Sequence, residues 1–143
     1  MSNKTNVLFV CVHNSARSQM AEAFLNSLGA DRFHAESAGL EPGALNTYVV
    51  KVMNDEGFDI SENDTKSVFE LLKKNKHFDF VVTVCDEANS ERCPIFPGSA
   101  TRMLWSFPDP SSFKGSDEEI LKKVFEVKEQ IKARIKQFVK ETI

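Results

Sequence analysis

Asn6-Val7-Leu8-Phe9-Val10-Cys11-Val12-His13-Asn14-Ser15-Ala16-Arg17-Ser18 is the stretch on which the fold turns. The residues from Asn6 to Val10 lead through an unbroken apolar run to Cys11, too short for a buried helix and branched enough for an interior strand. From Ser18 to Leu28 the spacing changes. Met20, Ala21, Ala23, Phe24, Leu25 and Leu28 recur at helical intervals, and Gly29 supplies the stop. A second strand at Phe33 to Ser37, closed by Gly39, completes a β-α-β unit with parallel strands.

Working outward, Pro42-Gly43 marks a loop, and Val49, Val50, Val52 and Met53 predict a helix ending near Gly57. Val68, Phe69, Leu71 and Leu72 predict another. Phe78 to Val84 reads as a third strand that also ends at a cysteine, Cys85, and Cys85 to Gly98 as a polar loop holding at most one helical turn. Met103-Leu104-Trp105 reads as a short fourth strand, whereas Phe107-Pro108-Asp109-Pro110 is irregular because its prolines lack donors and restrict their predecessors. In the last helix Ser116 and Glu119 form a capping box. Ile120, Val124, Val127, Ile131, Ile135 and Phe138 make its apolar stripe, with lysines opposite. The alternation predicts an α/β fold, an open parallel sheet with helices on both faces that binds ligands at the carboxyl ends of its strands. Cys11 and Cys85 both fall at those ends.

The chain has 143 residues, 41% of them hydrophobic, the size of a single domain spanning 1–143. Its 18 basic and 21 acidic side chains nearly cancel to a net charge of −3, which gives no footprint for nucleic acid. No apolar run approaches the roughly 20 residues that span a bilayer, and the first residues carry no cleavage-site pattern, so a cytoplasmic location and no membrane partner are expected. Three cysteines, Cys11, Cys85 and Cys93, are too few and odd in number for a disulfide scaffold. They are reactive thiols, metal ligands or buried spectators; the C-x7-C spacing of the last two lacks the close pairs of common zinc sites, and no metal is expected.

Cys11 to Ser18 is C-x5-R-S between a buried strand and a helix start. A short loop there turns successive backbone N–H groups inward, so Val12, His13, Asn14, Ser15, Ala16 and Arg17 are expected to encircle a tetrahedral oxyanion. The planar fork of Arg17 takes two oxygens at once. The same donors stabilise a thiolate at Cys11, and Ser18 is placed to hydrogen-bond its sulfur.

The segment VLFVCVHNSARSQMAEAFL, Val7 to Leu25, resembles the loop and first helix shared by low-molecular-weight protein tyrosine phosphatases and thioredoxin-coupled arsenate reductases. The resemblance continues through Glu36-Ser37-Ala38-Gly39, Val81 to Cys85, Cys93-Pro94 and Phe107-Pro108-Asp109-Pro110, nearly the whole chain, and is closer to the reductases. It implies a four-stranded parallel sheet flanked by helices. It implies Asp109 as the general acid that protonates a departing oxygen, against the plainer reading of a turn aspartate capping its own backbone. It further implies a relay in which Cys11 attacks arsenate, Cys85 displaces arsenite, Cys93 shuttles the disulfide outward and thioredoxin, or another thiol reductant, reduces it. In an intact helix Cys85 and Cys93 would stand roughly 12 Å apart along the axis, so their pairing requires the segment to loop or unwind.

Some reductases of this type hold potassium near the loop with residues that match Asn14, Glu22 and Ser37. The aspartate that completes such a site is not evident in Ser61 to Ser67, and Lys66 is placed to supply an ammonium instead. No tightly bound cofactor is expected. His13 lines the loop mouth without a proton-transfer role, and Trp105 and Phe107 are read as core or pocket wall. The alternatives to an arsenate reductase are a low-molecular-weight tyrosine phosphatase, for which Tyr48 is the only tyrosine available to rim the pocket, and a non-enzymatic oxyanion- or arsenite-binding module.

Overall fold

Four parallel strands form one sheet in the order β2-β1-β3-β4: β1 Thr5–Cys11, β2 Phe33–Gly39, β3 Phe80–Thr83 and β4 Thr101–Leu104. The computed structural model of the chain describes residues 4–85 and 100–142. Cys93 and the loop expected up to Gly98 lie outside the described residues. The helices are α1 Arg17–Leu28, α2 Thr47–Asp55, α3 Val68–Lys73 and α4 Asp117–Glu141, with a 3-10 turn at Pro110–Ser112.

The apolar run that names β1 is central because it is buried from both sides. Val7, Phe9 and Cys11 face a larger core with Met20, Phe24 and Leu25 of α1, Val49 and Met53 of α2 and the stripe of α4, while Leu8 and Val10 face a smaller one with Val68 and Leu71 of α3. Continuous apolar sequence, rather than alternation, is what a strand covered on both faces requires. Helices therefore cover both faces, as the pattern predicts.

Two strands are placed differently from their sequence signal. β3 pairs only from Phe80 to Thr83, and β4 starts earlier than expected, at Thr101, and stops before Trp105. Trp105 is buried against Phe9 and Phe138, so it is core, and its apolar character reports packing rather than strand membership. The capping box of α4 is present, with the Ser116 hydroxyl accepting from the Glu119 N–H and the Glu119 side chain accepting from the Ser116 N–H. One lysine departs from the solvent face: Lys128 is 2% exposed. Its ammonium pairs with Glu56 and, at 3.2 Å, with Glu129, while Lys132 reaches Glu56 at 2.8 Å. Glu56 follows α2, so this cluster ties α2 to α4.

Candidate functional site: the loop from Cys11 to Ser18

The loop sits at the carboxyl end of β1, the central position of the sheet, and runs into α1. Its carbonyls are held outward one by one. Those of Cys11, Val12, His13 and Ser15 accept from the backbone N–H groups of Leu40, Glu41, Gly43 and Asn46 at 3.1, 2.7, 3.0 and 2.9 Å. In a trans peptide the N–H points opposite to the C=O, so anchoring each carbonyl outside turns the next N–H inward. The Asn14 N–H follows this rule and donates to the Cys11 sulfur at 3.1 Å. The result is a ring of backbone donors at a helix start, the arrangement that binds tetrahedral anions.

Asn14 is the kink that makes the ring possible. Its φ is 54°, in the left-handed region, where asparagine is better tolerated than other residues with a β-carbon. It is fully buried, and its Nδ2 donates to Ser18 Oγ at 2.8 Å while its Oδ1 accepts from the Lys66 N–H at 2.9 Å. Ser18 Oγ lies 2.9 Å from Cys11 Sγ. The sulfur thus has two polar neighbours, the Asn14 N–H and the Ser18 hydroxyl.

Arg17 closes the mouth. Its residue is 7% exposed, its Nη1 donates to the Phe107 carbonyl at 3.1 Å and its Nη2 stands 3.7 Å from Asp109 Oδ2. The Pro-Asp-Pro segment is therefore brought over the loop. Asp109 serves both readings of the sequence at once: Oδ1 accepts from the Ser111 N–H at 3.0 Å and caps the 3-10 turn, while Oδ2 faces Arg17. The cap fixes the carboxyl's orientation and leaves one oxygen directed at the guanidinium.

Cys85 is buried in the same core as Cys11. The ladder pairs Val10 with Thr83, and the Val84 N–H donates to the Val10 carbonyl at 2.9 Å. Cys85 thus lies two residues past the end of β3, at the same end of the sheet as Cys11.

Beneath the loop, Glu22 Oε1 accepts from Ser37 Oγ at 2.9 Å and faces Lys66 Nζ at 3.9 Å. Burial pushes the Glu22 carboxyl up, only partly offset by Lys66 and Ser37. These residues do not fit a potassium ion. The Asn14 Oδ1 is taken by two N–H donors, from Lys66 at 2.9 Å and Gln19 at 3.3 Å, and an ammonium already stands beside Glu22. Among the described residues no cluster of three or more His, Cys, Asp or Glu is disposed to hold a metal.

The remaining candidates are His13 and Tyr48. His13 is exposed with Nδ1 2.9 Å from the Glu41 carbonyl, and the Tyr48 hydroxyl donates to Asp117 at 2.8 Å, linking α2 to α4. Three contributors escape sequence reading. The Phe107 and Lys66 contributions are main-chain groups, which carry no signature. Gln19 is a side chain with one available signal: a long amide inside the first turn of a helix, between residues that must be buried.

A family model described as low molecular weight phosphotyrosine protein phosphatase matches residues 6–143. An arsenate reductase of Shouchella clausii is 40% identical over 136 residues, covering 95% of this chain and 96% of that protein. A solved arsenate reductase from Archaeoglobus fulgidus superposes with a TM-score of 0.69 at 32% identity, covering 94% of this chain and 98% of that one. A thioredoxin-dependent arsenate reductase from Corynebacterium glutamicum gives 0.70 at 27% identity, covering 98% of this chain and 62% of that one.

Proposed function

Because this chain belongs to the low-molecular-weight phosphotyrosine protein phosphatase family, we propose that it turns the family's oxyanion loop to the reduction of arsenate, with thioredoxin as electron donor. The observation that carries this reading is the second buried thiol, Cys85, two residues past the end of β3, the strand hydrogen-bonded to the one that ends at Cys11. Hydrolysis of a phosphate ester needs one reactive cysteine; reduction needs more. The names and coverage of the relatives support the same choice.

Arsenate enters the ring of N–H groups with two oxygens on Arg17, which leaves Phe107 and Asp109 for the anion. The Cys11 thiolate attacks arsenic as Asp109 gives its proton to the departing hydroxide, forming an S–As bond. The Cys85 thiolate then attacks the Cys11 sulfur. The S–As electron pair passes to arsenic, arsenite leaves, and a Cys11–Cys85 disulfide remains. Cys93 attacks Cys85, frees the Cys11 thiolate and forms a Cys85–Cys93 disulfide that a thioredoxin dithiol reduces. In this reading Lys66 supplies the positive charge beside Glu22 and no metal takes part.

The test supplies arsenate, thioredoxin, thioredoxin reductase and NADPH, and follows NADPH oxidation with hydrolysis of a phosphotyrosine analogue in parallel. Cys85→Ser and Cys93→Ser are expected to lose multiple turnover and keep any hydrolysis, and Cys11→Ser to lose both. Asp109→Asn is expected to slow both by about 10²- to 10⁴-fold, the usual contribution of a positioned acid. Undiminished NADPH oxidation in Cys85→Ser would overturn the relay.

A further inference from the structure

Of the loop carbonyls from Cys11 to Ser15, four are anchored by backbone N–H groups and the fifth, that of Asn14, by a side chain. We propose that Gln19 is a positioning residue for the nucleophile: its carboxamide locks the left-handed Asn14 and so aims the donors that surround Cys11. This rests on reading the loop as an oxyanion ring, not on the identity of the anion.

Gln19 is 1% exposed. Its Nε2 lies 3.1 Å from the Asn14 carbonyl, 3.3 Å from Asn14 Oδ1 and 3.1 Å from the Asp64 carbonyl, and its Oε1 accepts from Asn63 Nδ2 at 3.0 Å. One amide therefore joins the loop to the segment 63–64. Holding the Asn14 carbonyl directs the Ser15 N–H inward, completing the inward set begun by the four backbone anchors. Holding Asn14 Oδ1 sets the carboxamide plane, and with it the Nδ2 donated to Ser18 Oγ, which contacts Cys11 Sγ. Without the amide donors a buried carbonyl in a strained segment would be left unpaired, and relief by rotating that peptide would turn an N–H out of the ring.

A merely structural glutamine would lower stability and leave the sulfur's chemistry alone. The deciding experiment uses the full chain in a Cys85→Ser/Cys93→Ser background, so that Cys11 is the remaining thiol, and measures its alkylation by iodoacetamide across pH, with and without inorganic phosphate. Gln19→Met preserves volume and removes all four contacts. It is expected to move the midpoint of the pH–rate profile upward and to weaken phosphate protection by about tenfold, the effect of losing one aimed donor. Asn63→Ala, which takes away only the partner of Oε1, is expected to shift both in the same direction by less, and it keeps the test open if Gln19→Met fails to fold. Glu56→Gln, remote in sequence and tied to α4, serves as the stability control. Profiles and protection equal to the parent in a folded Gln19→Met or in Asn63→Ala, with only a lower melting temperature, overturn the proposal. Absence of phosphate protection in the parent instead overturns the oxyanion reading itself.

Discussion

A methyl group at position 39 has nowhere to go. Gly39 ends β2 alongside Cys11, and a β-carbon there would stand 2.8 Å from both the Asn14 nitrogen and the Val12 oxygen, and 2.9 Å from the His13 carbonyl carbon. These are backbone atoms of the ring, so the clash cannot be relieved by a side-chain rotation. Gly39→Ala is expected to fold with an opened loop and lose oxyanion binding by at least an order of magnitude, which titration with phosphate by calorimetry would read. At this scale the sequence was informative where residue type and chemistry coincide: a cysteine, five residues and an arginine after a strand announce the loop. It was silent on what aims them. A glycine closing a strand gives no hint of which backbone it abuts, and an aspartate between prolines serves equally as a turn cap and a proton donor, both of which the geometry allows Asp109 to be.

Between elements, the tie from α2 to α4 depends on ionisation. Burial pushes the Glu56 carboxyl up, but hydrogen bonds from Lys128 and Lys132 outweigh it and hold the group below its ordinary 4.5. A carboxyl whose folded value is depressed contributes stability above its unfolded value and loses it as pH falls through the folded one. Glu56→Gln is expected to cost about 2 kcal/mol at pH 7, allowing for partial exposure and for the Glu129 partner that Lys128 keeps. The gap between variant and parent should narrow as the pH is lowered below 4.5 and the parent's carboxyl takes up its proton, which urea melts at neutral and at acidic pH would read. Element positions were legible where periodicity was long: α4, with its stripe and capping box, stands where its pattern puts it. Short elements were not, since four residues of β3 or β4 carry too little pattern to fix an end. Burial of Lys128 was equally hidden, because a lysine partnered by a glutamate far away in sequence looks like any other surface lysine.

For the molecule as a whole, the loop couples ligand to stability through many contacts at once. The ring is tied to β2, to the 40–46 segment and to the 63–66 segment, so an oxyanion bound to it resists separation of all of them. Inorganic phosphate at 100 times its dissociation constant should stabilise the fold by about 2.7 kcal/mol, roughly 8 °C in melting temperature. Chloride at matched ionic strength should not, and Arg17→Ala should abolish the shift. The overall α/β plan was readable from the succession of apolar runs and helical stripes, and in a parallel sheet all the carboxyl ends of the strands share one edge. Which groups converge on that edge from the segments after β2 and β4 depends on loops, whose paths periodicity does not encode.

A cage of main-chain amides recognises shape and charge, and it is blind to the element at the centre. Phosphate and arsenate present it with nearly the same tetrahedron, so under the proposed function the two anions compete for this pocket. Discrimination must then come after capture: phosphorus, unlike arsenic, does not readily accept an electron pair from a broken bond to sulfur. The economy of such a design is that a common anion acts as a standing brake, and throughput rises only when the toxic one climbs in proportion.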